Sequence, residues 1–345
     1  MKHQPGSIKC VVWDLDNTLW NGTLLEGDIT LRESARMAVE ALDSRGILNS
    51  IASKNNHADA VMKLQELSLA DFFLYPQISW AAKSHSVGQI ARDLNIATDS
   101  IAFIDDEPYE REEVASSLPD VLCLAADELP TMLERSEFTP RFLTSESKLR
   151  RSMYVADMAR RDAAERFAGP REQFLSSLGM RVEILEAAES DLQRAEELTV
   201  RTHQLNSTGR IYSYDELNLL RESGQHILLI ARLTDKFGSY GTVGLALVEK
   251  DGLLWTMRLL LLSCRVMGRG IATVLIGHIK RLARDAGARL LAEMVLNERN
   301  RVMHVSFVIN KFRPVSRAGN SIRFETDLSN IPADPGYLEV VTPHR

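Results

Sequence analysis

Apolar positions fall into two kinds of run along the first third of the chain. From residue 8 to about 130, short unbroken stretches, "IKCVVWD", "GILNSIAS", "FFLYPQIS" and "SIAFIDD", predict buried strands rich in β-branched and aromatic residues. Between them, "ESARMAVEALDSRG", "HADAVMKLQELS" and "HSVGQIARDLN" carry apolar residues every three or four positions and predict amphipathic helices, with Gly46 where one would stop. Strand and helix in alternation predict a parallel sheet with crossover helices. In such sheets ligands gather beyond the carboxyl ends of the strands.

From residue 131 to about 175 the pattern is charged and helical, punctuated by Pro130, Pro140 and Pro170, which predicts a connector. Beyond it, "GMRVEILEA", "QHILLIARLTD", "VGLALVEKDG" and "LLWTMRLLLLSC" predict sequential antiparallel strands. "GIATVLIGHIKRLARDAGA" then predicts a helix and "RLLAEMV" a further strand. "DKFGSYGTVG" reads as a glycine-rich turn between strands. The last thirty residues mix Pro, Asn and Gly with short apolar pieces and predict no particular element. Three parts result: a first domain over 1–140, a connector over 141–178 and a second domain over 179–345.

Composition narrows the function. A hydrophobic content of 45% in 345 residues is ample for two cores. A net charge of -6 without a long basic run argues against a nucleic-acid binder. Basic residues cluster in "KLRRSMYVADMARRD", but interleaved acids make that a solvated helix face. No apolar run is long enough to span a membrane, and "MKHQPGSIKC" lacks the apolar core of a signal peptide. Cys10, Cys123 and Cys264 are too few and too far apart for a disulfide framework, so free thiols in a cytoplasmic protein are expected.

Candidate chemistry sits at the expected strand ends. In "VVWDLDNTLW", Asp14 and Asp16 lie two apart and so on one side of an extended segment, where like charges repel. Ser53 ends the second strand, followed by Lys54 and Asn55; Lys83 opens a helix; Asp105 and Asp106 end the fourth strand. In a parallel sheet these positions converge on one crevice. A hard cation such as Mg²⁺ relieves the crowding of carboxylates, and Ser53, Lys54, Asn55 and Lys83 are then candidates to hold a phosphate. The assembly reads as phosphoryl chemistry, with Asp14 as nucleophile and Asp16 as acid/base.

"DLDNT", Ser53, Lys83 and "IDD" resemble, in order, the four motifs of haloacid dehalogenase-type phosphatases. The short path from Asp16 to Ser53 leaves no room for a large cap. The resemblance implies that Asp14 is phosphorylated, that Asp16 protonates the leaving group, and that Asp14, Asp16 and a fourth-motif carboxylate bind metal, Asp106 preferred and Asp105 supporting.

The second half offers "LLLLSCRVMGRGIATVLIGHI". A strand is expected to end at Cys264 and a helix to begin near Gly270, with Arg265, Gly268, Arg269 and Gly270 forming an anion site at the helix start. These residues resemble the pyrophosphate loop of Gcn5-related N-acetyltransferases. Beside two arginines, Cys264 is in a setting that favours thiolate; its other reading is a buried small hydrophobe. "LTVRTHQLNSTGR" adds His203, as a base or a structural histidine, with Gln204 and Asn206 in the same polar stretch, Asn206 as a candidate to bind substrate or phosphate.

Taken together, "DLDNTLWNGTLLEGD", "SIASKNN", "AFIDDEPYEREEV", "VRTHQLNSTGR", "FGSYGTVG" and "LLSCRVMGRG" closely resemble the FkbH-like glyceryltransferase/phosphatases of polyketide pathways, from about Ile8 to about Phe312. The family often has Pro where this chain has Ala82. The resemblance implies an α/β protein: a Rossmann-like parallel sheet without a large cap, then an acyltransferase-like α+β domain with a mainly antiparallel sheet. It implies removal of phosphate from 1,3-bisphosphoglycerate and delivery of the D-glyceryl group to the phosphopantetheine arm of an acyl carrier protein through a thioester on Cys264. The loaded carrier would feed extender units such as methoxymalonyl, or tetronate pieces. A stand-alone phosphatase and an inactive carrier-binding module are the rival readings.

Overall fold

The computed structural model describes residues 7–140, 142–202 and 204–342. The chain divides into two compact units, 1–155 and 156–345. The boundary falls inside the helix Arg150–Arg166, so the expected connector is shared between the units rather than standing apart. Among the described residues, no helix is long and apolar enough to cross a membrane.

The first unit is built on a five-stranded, all-parallel sheet in the order Gln77–Ile78, Leu48–Ser53, Cys10–Trp13, Ile101–Asp105, Leu122–Ala125. Cys10–Trp13 is central and wholly buried, as a strand covered on both faces requires. The crossover helices Glu33–Ser44, His57–Glu66, Lys83–Leu94 and Pro108–Ser117 follow the strands. Gly46 has φ +70 and ends the first of these turns, a conformation that glycine adopts at little cost. The stretch "FFLYPQIS" gives only the two-residue strand Gln77–Ile78, because Tyr75 takes φ +50 and Pro76 follows. The strand Leu122–Ala125 lies outside the sequence expectations.

The second unit contains an eight-stranded mixed sheet, ordered Phe312–Ala318, Ser321–Thr326, Arg289–Val295, Leu254–Leu262, Gly238–Asp251, His226–Asp235, Met180–Glu186, Leu338–Val341. Two pairings are parallel, Leu254–Leu262 with Arg289–Val295 and Leu338–Val341 with Met180–Glu186; the rest are antiparallel. The helix Ile271–Asp285 buries Ile271, Val274, Leu275 and Ile279 in this unit's core. In "DKFGSYGTVG" the expected turn between strands is confined to Lys236 and Phe237. Most of the stretch opens the long strand Gly238–Asp251, with register shifts at Ser239/Gly241 and Thr242/Gly244. The glycines serve close strand approach: a Cβ on Gly244 would lie 3.0 Å from that of Ala231.

Candidate active site and acyl-transfer loop

In the first unit the three central strands end side by side, Trp13 in register with Ile51 and Ile104. Asp14 is therefore set between its neighbours' ends, and its N–H donates to the Ile104 carbonyl at 2.9 Å. Lys83, the first residue of its helix, reaches into this space. Its ammonium donates to the Ala52 carbonyl at 2.8 Å and pairs with Asp14 and, at 3.1 Å, with Asp105. A cation at a helix amino terminus opposes the helix dipole, so the carboxylates and not the helix hold it there.

The electrostatics fit a site short of positive charge. Burial pushes the Asp14 carboxyl up, and the Asp105 charge adds to this against the pull of Lys83. Asp105 and Asp106 are also raised, chiefly by burial. Burial would lower Lys83, but the charges of Asp14 and Asp105 outweigh it and raise the ammonium. Asp14, Asp105 and Asp106 each bring one carboxylate oxygen within 4.8 Å of the others. An all-oxygen donor set of this charge suits Mg²⁺.

Asp16 faces elsewhere. One of its oxygens accepts from the Trp20 indole at 2.8 Å and the Leu24 N–H at 3.0 Å, and the other from the Asn55 amide at 3.0 Å. Its carboxylate is not part of the three-aspartate group. Two of these donors, Trp20 and Leu24, come from a small hairpin, Trp20–Asn21 paired with Thr30–Leu31, and the loop it encloses. Trp20 is fully buried.

Asn55 is itself buried. Its NH₂ meets Asp16 and, at 3.3 Å, the Ser53 hydroxyl, which fixes the amide orientation; its carbonyl oxygen finds no partner among the described residues. Lys54 is paired with Glu110 at 2.5 Å. Two supports were not anticipated. Thr18 accepts from the Asp106 N–H at 3.0 Å, and Arg111 donates to the carbonyls of both Asp105 and Asp106 at 2.7 Å. Thr18 lies within "DLDNT" and could have been read there; Arg111 has no sequence signal.

In the second unit the strand Leu254–Leu262 stops two residues before the expected Cys264, which instead opens a short 3-10 turn, Cys264–Val266. Cys264 is exposed, so it is not the buried small hydrophobe of the alternative reading; Cys10 is buried and Cys123 half-buried. Burial pushes the Cys123 thiol up to about 11. Gly268 and Gly270 take φ +73 and +82 before the helix Ile271–Asp285. A Cβ on Gly268 would displace only the guanidinium tip of Arg171, and one on Gly270 would lie 2.7 Å from the Tyr337 hydroxyl, so the left-handed backbone is what favours glycine at both positions.

The loop arginines gather on Tyr240. Arg265 donates to its carbonyl at 3.0 Å, and the Arg269 guanidinium lies 5.2 Å from its ring centre. His203 lies outside the described residues. Asn206 was expected to face a ligand, but its side chain serves the backbone. Its amide oxygen accepts from Thr208 and Gly209 N–H at 3.2 and 2.8 Å, and its NH₂ donates to the Thr202 carbonyl.

The parallel strands Leu254–Leu262 and Arg289–Val295 pair only from Leu254 to Met257 and from Arg289 to Ala292, then part. The segment Leu205–Ser207 occupies the gap. Ser207 N–H donates to the Leu260 carbonyl, Leu262 N–H to Leu205, and Val295 N–H to Ser207, each at 2.9 Å. Open grooves of ≈430 and ≈500 Å³ flank this region at Thr208, Glu293 and Val295, and neither is lined by Cys264 or the loop glycines.

No protein-family model and no curated protein matches the chain. Among solved structures, the N-terminal part of a Bacteroides fragilis protein, containing a phosphatase domain and complexed with Mg, is similar over 34% of this chain at 30% identity, with a TM-score of 0.32. The match spans about a third, 35%, of that chain. The PaiA N-acetyltransferase of Thermoplasma acidophilum, in complex with coenzyme A, is similar over 42% of this chain and 98% of its own at 15% identity, with a TM-score of 0.34. The ribosomal-protein-S18-alanine N-acetyltransferase of Escherichia coli is similar over 43% of this chain and 95% of its own at 13% identity, with a TM-score of 0.35.

Proposed function

We propose that the chain is a bifunctional phosphatase and glyceryltransferase that takes 1,3-bisphosphoglycerate, releases its phosphates and loads the D-glyceryl group onto an acyl carrier protein. The observation that carries the phosphatase half is the convergence of the Asp14, Asp105 and Asp106 carboxylates at adjoining strand ends, with Lys83 paired to Asp14 and Asp105. The Asp14 carboxylate attacks the phosphorus of the phosphate monoester, the ester P–O bond breaks, and Asp16 supplies the proton to the leaving hydroxyl. Water then cleaves the aspartyl phosphate, and phosphate leaves. Lys83 and Ser53 hold the phosphoryl oxygens through a charge and a hydroxyl. Mg²⁺, held by Asp14, Asp106 and the Asp16 main chain with Asp105 in support, would neutralise charge on the transferred group.

The acyl phosphate needs no such help, because it is already activated toward a thiol. Cys264, exposed ahead of a glycine loop and a helix start, attacks its carbonyl carbon; the C–O bond to phosphate breaks and a thioester forms. The carrier thiol then takes the acyl group and Cys264 regains its proton. The phosphopantetheine phosphate is assigned to Arg265, Gly268, Arg269 and Gly270. A stand-alone phosphatase would leave this exposed thiol without a task.

Incubation with 1,3-bisphosphoglycerate and holo-carrier tests both halves, with phosphate release and the intact mass of the carrier as readouts. Asp14→Asn should lower phosphate release from 3-phosphoglycerate by about a thousandfold with the fold retained. Undiminished release from that variant sinks the phosphatase reading. A carrier mass without the glyceryl increment sinks the transferase reading.

A further inference from the structure

The helix Arg301–Ile309 is apolar on more than one side. Met303 and Phe307 are buried, with Phe307 against Phe312 and Phe324 at ring distances of 5.3 and 5.4 Å. Val302, Val305 and Ile309, three and four apart and so on one stripe, face solvent together with Val308; Val305 is 52% and Ile309 63% exposed. A helix that is apolar all round belongs in an interior, and this one leaves a face uncovered. The strand Phe312–Ala318 beside it is a sheet edge, exposed at every residue after Phe312.

Charge marks the same stretch. From Arg299 to Phe324 the sequence contains Arg299, Arg301, Lys311, Arg313, Arg317 and Arg323 and no Asp or Glu, in a chain whose net charge is -6. Arg323 meets Glu293 at 3.1 Å, whereas Arg299, Arg301 and Lys311 have no carboxylate partner among the described residues. An aliphatic stripe rimmed by unneutralised cations is complementary to an amphipathic helix with carboxylates around an apolar centre. A second copy of this face would set cations against cations across a two-fold. Nucleic acid would call for exposed aromatic platforms, and the stretch's three phenylalanines, Phe307, Phe312 and Phe324, are all buried.

We propose that this face, Val302, Val305 and Ile309 with Arg299, Arg301 and Lys311, docks an acidic amphipathic helix of the carrier protein. The assignment rests on the acyl-transfer reading above. The face adjoins the transfer loop through a short bonded path. Asn300, at the helix start, donates to the Asn206 carbonyl at 3.1 Å, and Leu262 donates to Leu205 at 2.9 Å just ahead of Cys264.

Fluorescence anisotropy of a labelled, phosphopantetheine-bearing carrier protein, titrated with the full-length chain, reads the docking. Val305→Asp with Ile309→Asp, and separately Arg299→Glu with Arg301→Glu, should each weaken binding about tenfold or more. Wild-type affinity should fall as salt rises. These side chains are exposed and outside both sites, and an unchanged thermal midpoint of the second unit checks that the variants fold. Binding that ignores both double variants, or that ignores salt, overturns the proposal. So does a wild type that self-associates through this face, or that binds phosphatidylglycerol vesicles or a single-stranded oligonucleotide there instead of the carrier. A wild type that neither binds nor loads a carrier sinks the acyl-transfer reading too, whereas normal loading by both double variants sinks the docking face alone.

Discussion

Lys83 and Asp14, 69 residues apart in sequence, form a buried ion pair beneath the ends of three parallel strands. Asp105 shares the same ammonium. Removing one partner of a buried pair leaves its charge uncompensated, at a cost of about 3–5 kcal/mol. Lys83→Met should therefore lower the thermal midpoint of the first unit substantially. Added Mg²⁺ should raise that midpoint more in the variant than in the wild type, because it replaces the missing charge, and chelator should reverse the gain. A variant as stable as wild type, with no response to Mg²⁺, would show that Lys83 does not balance these carboxylates.

Cys264 is the one exposed cysteine among the three. Mass spectrometry after incubation with 1,3-bisphosphoglycerate and no carrier should find a glyceryl adduct on the peptide containing it. Cys264→Ala should lose both the adduct and carrier loading, while Cys10→Ala and Cys123→Ala load normally. Full loading by Cys264→Ala would mean direct transfer from acyl phosphate to carrier.

The apolar runs made the parallel sheet legible, because strands buried on both faces leave unbroken hydrophobic stretches such as Cys10–Trp13. The same logic failed at the far edge of the second sheet. In Phe312–Ala318 only the first residue is buried, so no alternation betrays the strand. The strand Gly238–Asp251 was obscured by its own glycines, which look like turn signals and instead admit a neighbouring strand. At the site, every aspartate was visible from its place at a strand end. The clamp on Asp16 was not, since the Trp20 indole and the Leu24 N–H reach it only once the small hairpin has formed. Likewise, Lys54 looked available in sequence, but Glu110 lies 56 residues on.

Arg160 and Asp235 supply a second buried pair, side chains 2% and 0% exposed, with bonds of 2.8 and 2.9 Å. Burial would raise the Asp235 carboxyl, but hydrogen bonds from Arg160 and Tyr240 hold it below the usual carboxylate range. Arg160 also lies 3.7 Å from the centre of the Tyr240 ring, whose carbonyl receives Arg265. Asp235→Asn should destabilise the second unit by about 3–5 kcal/mol, and Arg160→Met added to it should recover part of that loss. Calorimetry of the two variants decides this; equal or additive losses would count against the pairing.

Lys280 gives a pH dependence with a defined sign. Its ammonium is buried, donates to the Asn310 carbonyl at 2.6 Å and lies 5.0 Å from the Phe312 ring centre. Burial lowers its pKa to about 8, below the unfolded value of about 10.4. Between these values the unfolded chain binds the extra proton, so stability rises with pH across the window. The penalty is fully present below the folded value and gone above the unfolded one. Against Lys280→Met, which cannot titrate, the wild type should gain up to about 2 kcal/mol between the two ends of that window. A difference in unfolding midpoint that stays flat with pH would rule this out.

Where the strands Leu254–Leu262 and Arg289–Val295 part, Leu205–Ser207 acts as a spacer cut from the chain's own backbone. It donates to and accepts from the first strand and accepts from Val295 of the second, and so carries the sheet on past the point where the two strands stop pairing. Any thin, extended molecule seeking that gap meets an incumbent of its own kind. It must trade places hydrogen bond for hydrogen bond, or halt at the rim. Along the chain, Cys264 follows two residues after Leu262. The fold thereby turns a slot into a threshold.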